Sequence, residues 1–255
     1  MFRHYLLSRI PLCGTVARPT VKRTTLNVGG AFGIPVASGS LCPGRFMFSL
    51  LRYRLDINER IGAPILIREL GILGALSLGR RIRRRQKAGE PFAGFPEPAT
   101  GQDRLSREQI GPAIVLYTEL RERVGQARAL QITEEIVIEA ACAFLHQTIG
   151  SLKRAELEAL TPESVAEFSR EKASKFFNAT VEWQQINGEA VHFHVVHCRF
   201  PPLCAEAGVP ELAPVFCKGD ARFFGTVEPD VELVRPTTIA TGGVLCDFTV
   251  RFAER

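Results

Sequence analysis

The chain has 255 residues, 45% of them hydrophobic, which is enough to bury a sizeable core in one large domain or two modest ones. Its formal net charge is +5, but residues 1–46 carry six Lys and Arg and no Asp or Glu, so removing those six positive charges leaves −1 for the rest. A nearly neutral body removes the composition argument for nucleic-acid binding, and we expect no nucleic-acid partner.

The seven cysteines stand at irregular spacings without a CxxC pair. This pattern excludes a zinc ribbon and a redox dithiol motif. The length and the low cysteine density also argue against a secreted disulfide scaffold. We therefore expect reduced thiols and a cytoplasmic location.

Residues 1–46 are rich in Arg, Ser, Thr, Gly and Pro and contain no acidic residue. This composition is typical of a transit peptide. Met47 offers a second interpretation, because translation from Met47 rather than Met1 would make the preceding residues a misassigned start. A disordered tail is the third. In each case these residues are left outside the predicted fold.

Residues 47–87 are largely apolar with helical periodicity and end in an arginine cluster over residues 79–87. Arg68 and Glu69 interrupt the apolar run, so a continuous stretch of about 20 apolar residues is missing and we expect no membrane span. The pattern predicts a helix packed on the body. Peripheral contact with a membrane surface through residues 61–87 is the alternative.

Residues 88–103 are rich in Pro and Gly and are predicted to be a linker. The domain that follows is expected to span residues 104–255. Ser106 and Gln109 have the spacing of a capping box, which predicts a helix over about residues 107–128.

Two further helices are predicted before the sheet. Apolar residues at helical spacing indicate one over residues 133–148. Thr161 followed by Pro162 marks the start of the other, because Thr caps a helix and Pro suits its first position.

After Asn178 the apolar periodicity changes from helical to alternating, which is typical of strands. Asn187 and Gly188 predict a hairpin turn between the first two strands. Four segments read as strands: 180–185, 191–200, 232–240 and 244–252. The sequence therefore predicts an α+β fold, with several N-terminal helices packed on one face of a roughly four-stranded antiparallel sheet formed by the C-terminal part.

Strand alternation assigns the chemically active side chains to faces. It places His194 and Cys198 on one face of the second strand and His197 on the other. In the last strand it places Cys246 with the aromatic residues toward the core and Asp247 on the opposite face.

A short helical insert is predicted over residues 204–207 and 210–216, between the two strand pairs. Cys217 and Asp220 follow it in a segment predicted to be a loop. Functional groups gather on loops held by a rigid scaffold, which makes this pair a candidate for chemistry.

The order of these motifs resembles that of the L-2-amino-thiazoline-4-carboxylic acid hydrolase family. A strand ending in Cys is followed by GVPELAPVFCKGD and then by RPTTIATGGVLCDF. The resemblance is tight over residues 198–248 and looser over the helices from about residue 105, while Ala207 departs from an acidic residue in the family pattern. The matching positions are Cys198, Gly208, Pro210, Glu211, Leu212, Cys217, Asp220, Gly243, Cys246, Asp247 and Phe248.

The resemblance implies a hydrolase that acts on a carbon–nitrogen bond of a small cyclic amidine or thioimidate. In one hypothesis Cys217 attacks the amidine carbon as a thiolate, and Asp220 moves protons or holds the cationic amidine. Cys198 or Cys246 could be the nucleophile instead.

No cofactor is expected, although zinc is an alternative. Three cysteines, Cys198, Cys217 and Cys246, together with Asp220 or a histidine, could hold an ion that activates water.

Arg199, Asp247 and His194 are assigned to substrate binding. Arg199 or Arg235 could bind a substrate carboxylate through two hydrogen bonds. The alternative function is a non-catalytic thiol module on the same fold, which would bind a ligand or metal as a redox or metal sensor.

Overall fold

The computed structural model describes residues 57–254. The predicted leader over residues 1–46 and the stretch 47–56 lie outside the described residues. Within them the predicted N-terminal helix is α1, Ile57–Lys87, which is interrupted at Gly71, where φ is +70°. Glycine is the residue that adopts such a left-handed conformation without steric cost.

Ion pairs fasten α1 to the next two helices. Arg81 and Arg85 both bind Glu119, whose side chain is only 2% exposed, at distances of 2.6 and 3.2 Å. Arg68 pairs with Glu135 at 2.6 Å. Part of the arginine cluster therefore neutralises a buried carboxylate rather than facing a partner.

The outer side of α1 is apolar. Arg60–Lys87 is the one helix within residues 57–254 that is long and apolar enough to cross a membrane, judged by length and composition. Crossing would require breaking the ion pairs that hold α1 to its neighbours. Two statements about the membrane stay predictions: that the chain has no membrane span, and the alternative that α1 contacts a membrane surface. Four large apolar side chains on this side are exposed: Ile67, Ile72, Leu73 and Leu76.

The Glu119→Gln substitution is expected to destabilise the protein by about 1–3 kcal/mol, because it removes the buried charge that Arg81 and Arg85 share and leaves each guanidinium with a single, more exposed carboxylate, Glu122 or Glu90. Urea unfolding followed by circular dichroism measures the change. Glu122→Gln is the matched control, since Glu122 pairs with Arg81 at 2.9 Å but is 57% exposed, and we expect it to cost less than about 1 kcal/mol. Equal effects of the two variants would contradict this role of Glu119.

The segment after α1 packs on the core instead of linking two bodies. It forms a series of turns, and Phe92 contacts the buried core cluster. The following helix, α2, is Gly101–Val124 and is capped by Thr100, whose hydroxyl accepts the N–H of Asp103. The predicted capping box at Ser106 is wrong: Ser106 is buried inside the helix and donates to the carbonyl of Gln102.

The helices that follow are longer or shorter than their sequence signals indicate. The helix predicted over residues 133–148 is α3, Gln126–Ile149, which begins immediately after Gly125. A single turn, α4, Arg154–Leu157, precedes α5, Pro162–Ala173. The start signal of α5 is confirmed, because Thr161 caps it by accepting the N–H of Ser164.

The sheet has four antiparallel strands, as predicted, and their order is β1-β2-β4-β3. The hairpin turn is confirmed, since the Asn187 side chain accepts the N–H groups of Glu189 and Ala190. The third strand is much shorter than predicted, because the chain leaves the sheet after Val234. The strands are β1 Ala179–Ile186, β2 Ala190–Cys198, β3 Val231–Val234 and β4 Cys246–Phe252.

A bulge in β2 changes which face Cys198 occupies. Val195 pairs with Val181 and His197 with Thr180, so Val196 is an extra residue opposite β1. The alternation therefore shifts by one position, and Cys198 lies on the face of Val195. The prediction that Cys198 shares a face with His194 is wrong for this reason.

Four short helical segments connect β2 to β3: α6, Phe200–Glu206, a 3-10 turn, Pro210–Leu212, α7, Ala213–Arg222, and a π-helical turn, Phe223–Val227. Cys217 and Asp220 belong to α7, so their predicted placement in a loop is wrong.

The helices cover the apolar face of the sheet. Residues of α3, α4 and α5 form one buried cluster with Val231, Val250 and Phe252. Helices α2, α3, α6 and α7 form a second, larger cluster, which contacts Cys198 at the end of β2. The candidate cysteines therefore lie where the sheet meets the helical layer.

Candidate functional site

Helix α7 presents Cys217 and Asp220 one turn apart, the spacing that places two side chains on the same side of a helix. The residue between them that faces α3 is Gly219. A Cβ atom there would lie 2.4 Å from the Cβ of Ala141, which no real contact tolerates. Glycine thus lets α7 pack closely against α3. This close packing determines where α7 places the Cys217 and Asp220 side chains.

Arg235, in the loop after β3, joins this pair to the sheet. Its guanidinium donates to Asp220 Oδ2 at 2.8 Å and to the carbonyl of Cys217 at 2.7 Å. The same group lies over the ring of Phe248, 4.9 Å from its centre. The side chain is only 10% exposed, so this cation is held in a fixed position.

Cys246, at the start of β4, lies beside the same arginine. It is buried on the core side of the sheet, as predicted, and its sulfur accepts the N–H of Ile239 at 3.2 Å. Arg235 is close enough to lower the pKa of Cys246, although burial raises that pKa overall.

Cys198 completes the group because the β2 bulge turns it to this face. Asn178 Nδ2 lies 4.0 Å from its sulfur. Burial raises the pKa of Cys198, and both Cys246 and Asp220 are near enough to raise it further. The structure therefore brings together the four residues that the sequence proposes as catalytic: Cys198, Cys217, Asp220 and Cys246.

The thiols of this cluster are protonated at neutral pH. Burial raises the pKa of Cys217 to about 12, and Arg235 only partly offsets the effect. A thiol becomes a nucleophile only when its proton is removed, so Cys217 would need a nearby base in order to act as one.

Asp220 has the properties of that base. Burial raises the pKa of its carboxyl group even though Arg235 opposes the shift. About 29% of its side-chain surface remains exposed, so a small molecule can reach it. A carboxylate with a raised pKa accepts a proton more readily than an ordinary one.

A row of aromatic rings extends from the cluster across the sheet. Phe248 stacks on Phe193 with centres 4.9 Å apart, and Phe193 contacts Trp183 at 5.5 Å. These rings are half-buried. Trp183 is the protein's single tryptophan, so its fluorescence reports on this row of aromatic rings.

The three residues assigned to substrate binding do not join the cysteines. Arg199 is held by Asp103 at 2.8 Å, by the Gln102 side chain and by the Phe177 carbonyl, which ties β2 to α2. His194 and Asp247 face the opposite side of the sheet, 3.6 Å apart.

Sequence reasoning gave Arg235 only a secondary place and passed over His192. Neither has a local signal: Arg235 follows a short strand, and His192 stands in an ordinary alternating strand. Their importance comes from partners distant in sequence, Asp220 for Arg235 and Asp247 for His192.

Comparison with known proteins provides one match. Residues 104–250 match the model of the L-2-amino-thiazoline-4-carboxylic acid hydrolase family. No curated protein and no solved structure gives a match. The matched span covers more than half of the chain and runs from α2 into β4, so it includes the four clustered residues. The chain therefore belongs to the L-2-amino-thiazoline-4-carboxylic acid hydrolase family.

Proposed function

We propose that the protein hydrolyses a carbon–nitrogen bond of a small cyclic amidine or thioimidate, of which 2-aminothiazoline-4-carboxylate is the type suggested by the family. The observation that carries the proposal is the cluster of Cys217, Asp220 and Arg235, in which a buried thiol, a carboxylate of raised pKa and a fixed cation meet. Membership of the family supports the class of substrate.

In this mechanism Cys217 attacks the amidine carbon while Asp220 takes the thiol proton. Transfer during attack avoids forming a free thiolate, which the raised pKa of Cys217 disfavours. The electrons of the C=N bond move to the ring nitrogen, which receives the proton from Asp220. The ring C–N bond then breaks as the exocyclic amino group forms a new C=N bond, and Asp220 carries a proton from that group to the leaving ring nitrogen. Water adds to this carbon with Asp220 as the base, a C=O bond forms as the bond from Cys217 to the carbon breaks, and the carbamoyl-type product leaves while Cys217 recovers its proton.

Arg235 has two roles in the proposal. It orients Asp220 through the 2.8 Å hydrogen bond, and its unused N–H groups are available to a substrate carboxylate. An arginine presents five donors in a planar fork, so two protein contacts leave capacity for an anion. Arg235 thus replaces Arg199 as the proposed carboxylate-binding residue.

The Cys217→Ser variant tests the nucleophile. We expect kcat for 2-aminothiazoline-4-carboxylate to fall by at least about 10²-fold, because a serine hydroxyl is a far weaker nucleophile than a thiol. Cys198→Ser and Cys246→Ser are expected to lose less. Cys204→Ala, which alters a cysteine buried in the helical core, is the control for packing effects. Full turnover by Cys217→Ser would refute this mechanism.

A non-catalytic binding module is the second candidate, and the raised pKa values of the thiols favour it because protonated thiols are poorly reactive. It predicts saturable quenching or enhancement of Trp183 fluorescence by the thiazoline without product formation. Turnover by the unmodified chain would exclude this candidate.

A further inference from the structure

A second polar cluster lies on the face of the sheet opposite the thiols. His192 Nε2 is 2.8 Å from Asp247 Oδ1, and His194 Nε2 is 3.6 Å from the same oxygen. The two imidazole rings stand nearly perpendicular with centres 5.2 Å apart. Within residues 57–254, these three residues are the group of potential metal ligands whose donor atoms all lie within 4.8 Å of one another.

The strands hold this cluster in place. His192 and His194 are two residues apart on β2, so both point to one face, and Asp247 is the direct partner of His194 on β4. Backbone pairing on both sides therefore fixes all three Cα positions. A site carried by adjacent central strands is more rigid than one carried by a loop.

The distances suit a divalent transition metal. Ligands 2.0–2.2 Å from a tetrahedral zinc lie about 3.3–3.6 Å apart. The His194–Asp247 distance of 3.6 Å is at the end of this range, whereas the His192–Asp247 distance of 2.8 Å is that of a hydrogen bond, which an ion would replace. Small rotations of the His192 ring would equalise the spacing. Two imidazoles and one carboxylate are donors that zinc and neighbouring first-row ions accept.

We propose that His192, His194 and Asp247 bind one divalent first-row transition ion, with Zn²⁺ as the representative, and leave at least one coordination position open to solvent. The side chains are 32%, 26% and 34% exposed, so water or a small anion can reach the ion. Glu182 pairs with His194 from β1 and so shares this face, but its carboxylate is not among the donor atoms that lie within 4.8 Å of one another.

This site differs from the zinc alternative considered from the sequence, which used the cysteines. The two faces meet in β4, where Cys246 points toward the thiol cluster and the next residue, Asp247, points toward the histidines. The proposal does not depend on the hydrolase activity, because the ligands lie on the other side of the sheet.

The test is a titration of the full chain, freed of metal by a chelator, with Zn²⁺ in a calorimeter and with Co²⁺ in a spectrophotometer. We expect one ion per chain and a cobalt spectrum without the near-ultraviolet sulfur-to-metal charge-transfer band. His192→Ala and Asp247→Asn should each lower the affinity at least about tenfold, since even outer-shell ligand partners contribute that much.

His197→Ala is the matched control, because His197 lies on the same strand but is exposed outside the cluster, and its affinity should equal that of the unmodified chain. Circular dichroism establishes that each variant is folded. Failure to bind one ion, or binding that persists in folded Asp247→Asn, would overturn the proposal. A charge-transfer band that disappears in Cys217→Ser would overturn it too, since the ion would then bind the thiols.

Discussion

The Asp220→Asn variant is expected to lose about 10²–10⁴-fold in kcat toward 2-aminothiazoline-4-carboxylate, which is the usual contribution of a general base. The amide keeps the shape of the side chain and can still accept a hydrogen bond from Arg235, but it cannot take the proton of Cys217. Steady-state kinetics at neutral pH measure the change. KM is expected to change little, because the proposed function assigns the substrate carboxylate to Arg235 rather than to Asp220.

The pH dependence separates a base from a structural residue. The pKa of Asp220 is raised by burial, so its carboxyl group loses its proton at a higher pH than an ordinary aspartic acid, for which the value is about 3.9. The base works only when deprotonated. The rate should therefore rise as pH increases through the raised pKa, and this acid limb should disappear from the residual activity of Asp220→Asn.

Loss of stability is not expected to explain the loss of activity. A folded-state pKa above the unfolded value means that the proton is bound more tightly in the folded protein, so the stabilisation present at low pH is lost as pH rises through the folded pKa. At neutral pH the ionised carboxylate is therefore a cost to the fold, which the neutral amide removes, but the same change leaves Arg235 without its counter-charge. Urea unfolding of Asp220→Asn is therefore measured beside the kinetics, to establish that the variant is folded at neutral pH.

Glu134→Gln is the matched control for Asp220→Asn. Glu134 lies on α3 and forms a surface ion pair with Lys218 of α7 at 2.7 Å. The substitution therefore also removes a carboxylate between α3 and α7, but one at the surface. We expect unchanged kinetics. If Asp220→Asn retained the pH profile and more than about a tenth of kcat, Asp220 would not be the base.

Local signals explain which elements could be predicted. Thr161 and Pro162 fix the start of α5, and the side chain of Asn187 forms the hairpin turn. Both act within a few residues, so they are visible in the sequence. The bulge at Val196 is different, since nothing in VHFHVVHC disturbs the alternation and only pairing with β1 produces the extra residue. That bulge decides which face Cys198 joins.

The candidate site was predicted in part for a similar reason. Cys217, Asp220 and Cys246 belong to motifs that can be recognised in the chain. The two arginines could not be ranked, because Arg199 and Arg235 differ only in the partners that the fold gives them. The predicted helical insert ended at residue 216, so the second part of α7 was missed, where Gly219 weakens the helical pattern. In the fold Pro214 lies in its first turn, and Gly219 meets α3.

Gly219→Ala is expected to destabilise the protein by about 1–3 kcal/mol and to lower kcat by about 10²-fold. The new Cβ would lie 2.4 Å from Ala141, so α7 must move away from α3 and carry Cys217 and Asp220 with it. Urea unfolding and steady-state kinetics measure the two effects. Alanine has the higher helix propensity, by up to about 1 kcal/mol, and a loss of stability would therefore identify the contact as its cause.

The double variant Ala141→Gly with Gly219→Ala tests that contact directly. It transfers one methyl group from α3 to α7 and removes the clash, so stability should return to within about 1 kcal/mol of the unmodified chain and most of kcat should recover. Gly79→Ala is the control, because the new Cβ on α1 would meet only the flexible end of Arg83, at 3.6 Å. If Gly219→Ala behaved like Gly79→Ala, the close approach of α7 to α3 would not position the catalytic pair. Recovery in the double variant would show the opposite: the absence of a side chain at Gly219 determines where α7 places Cys217 and Asp220 relative to the sheet.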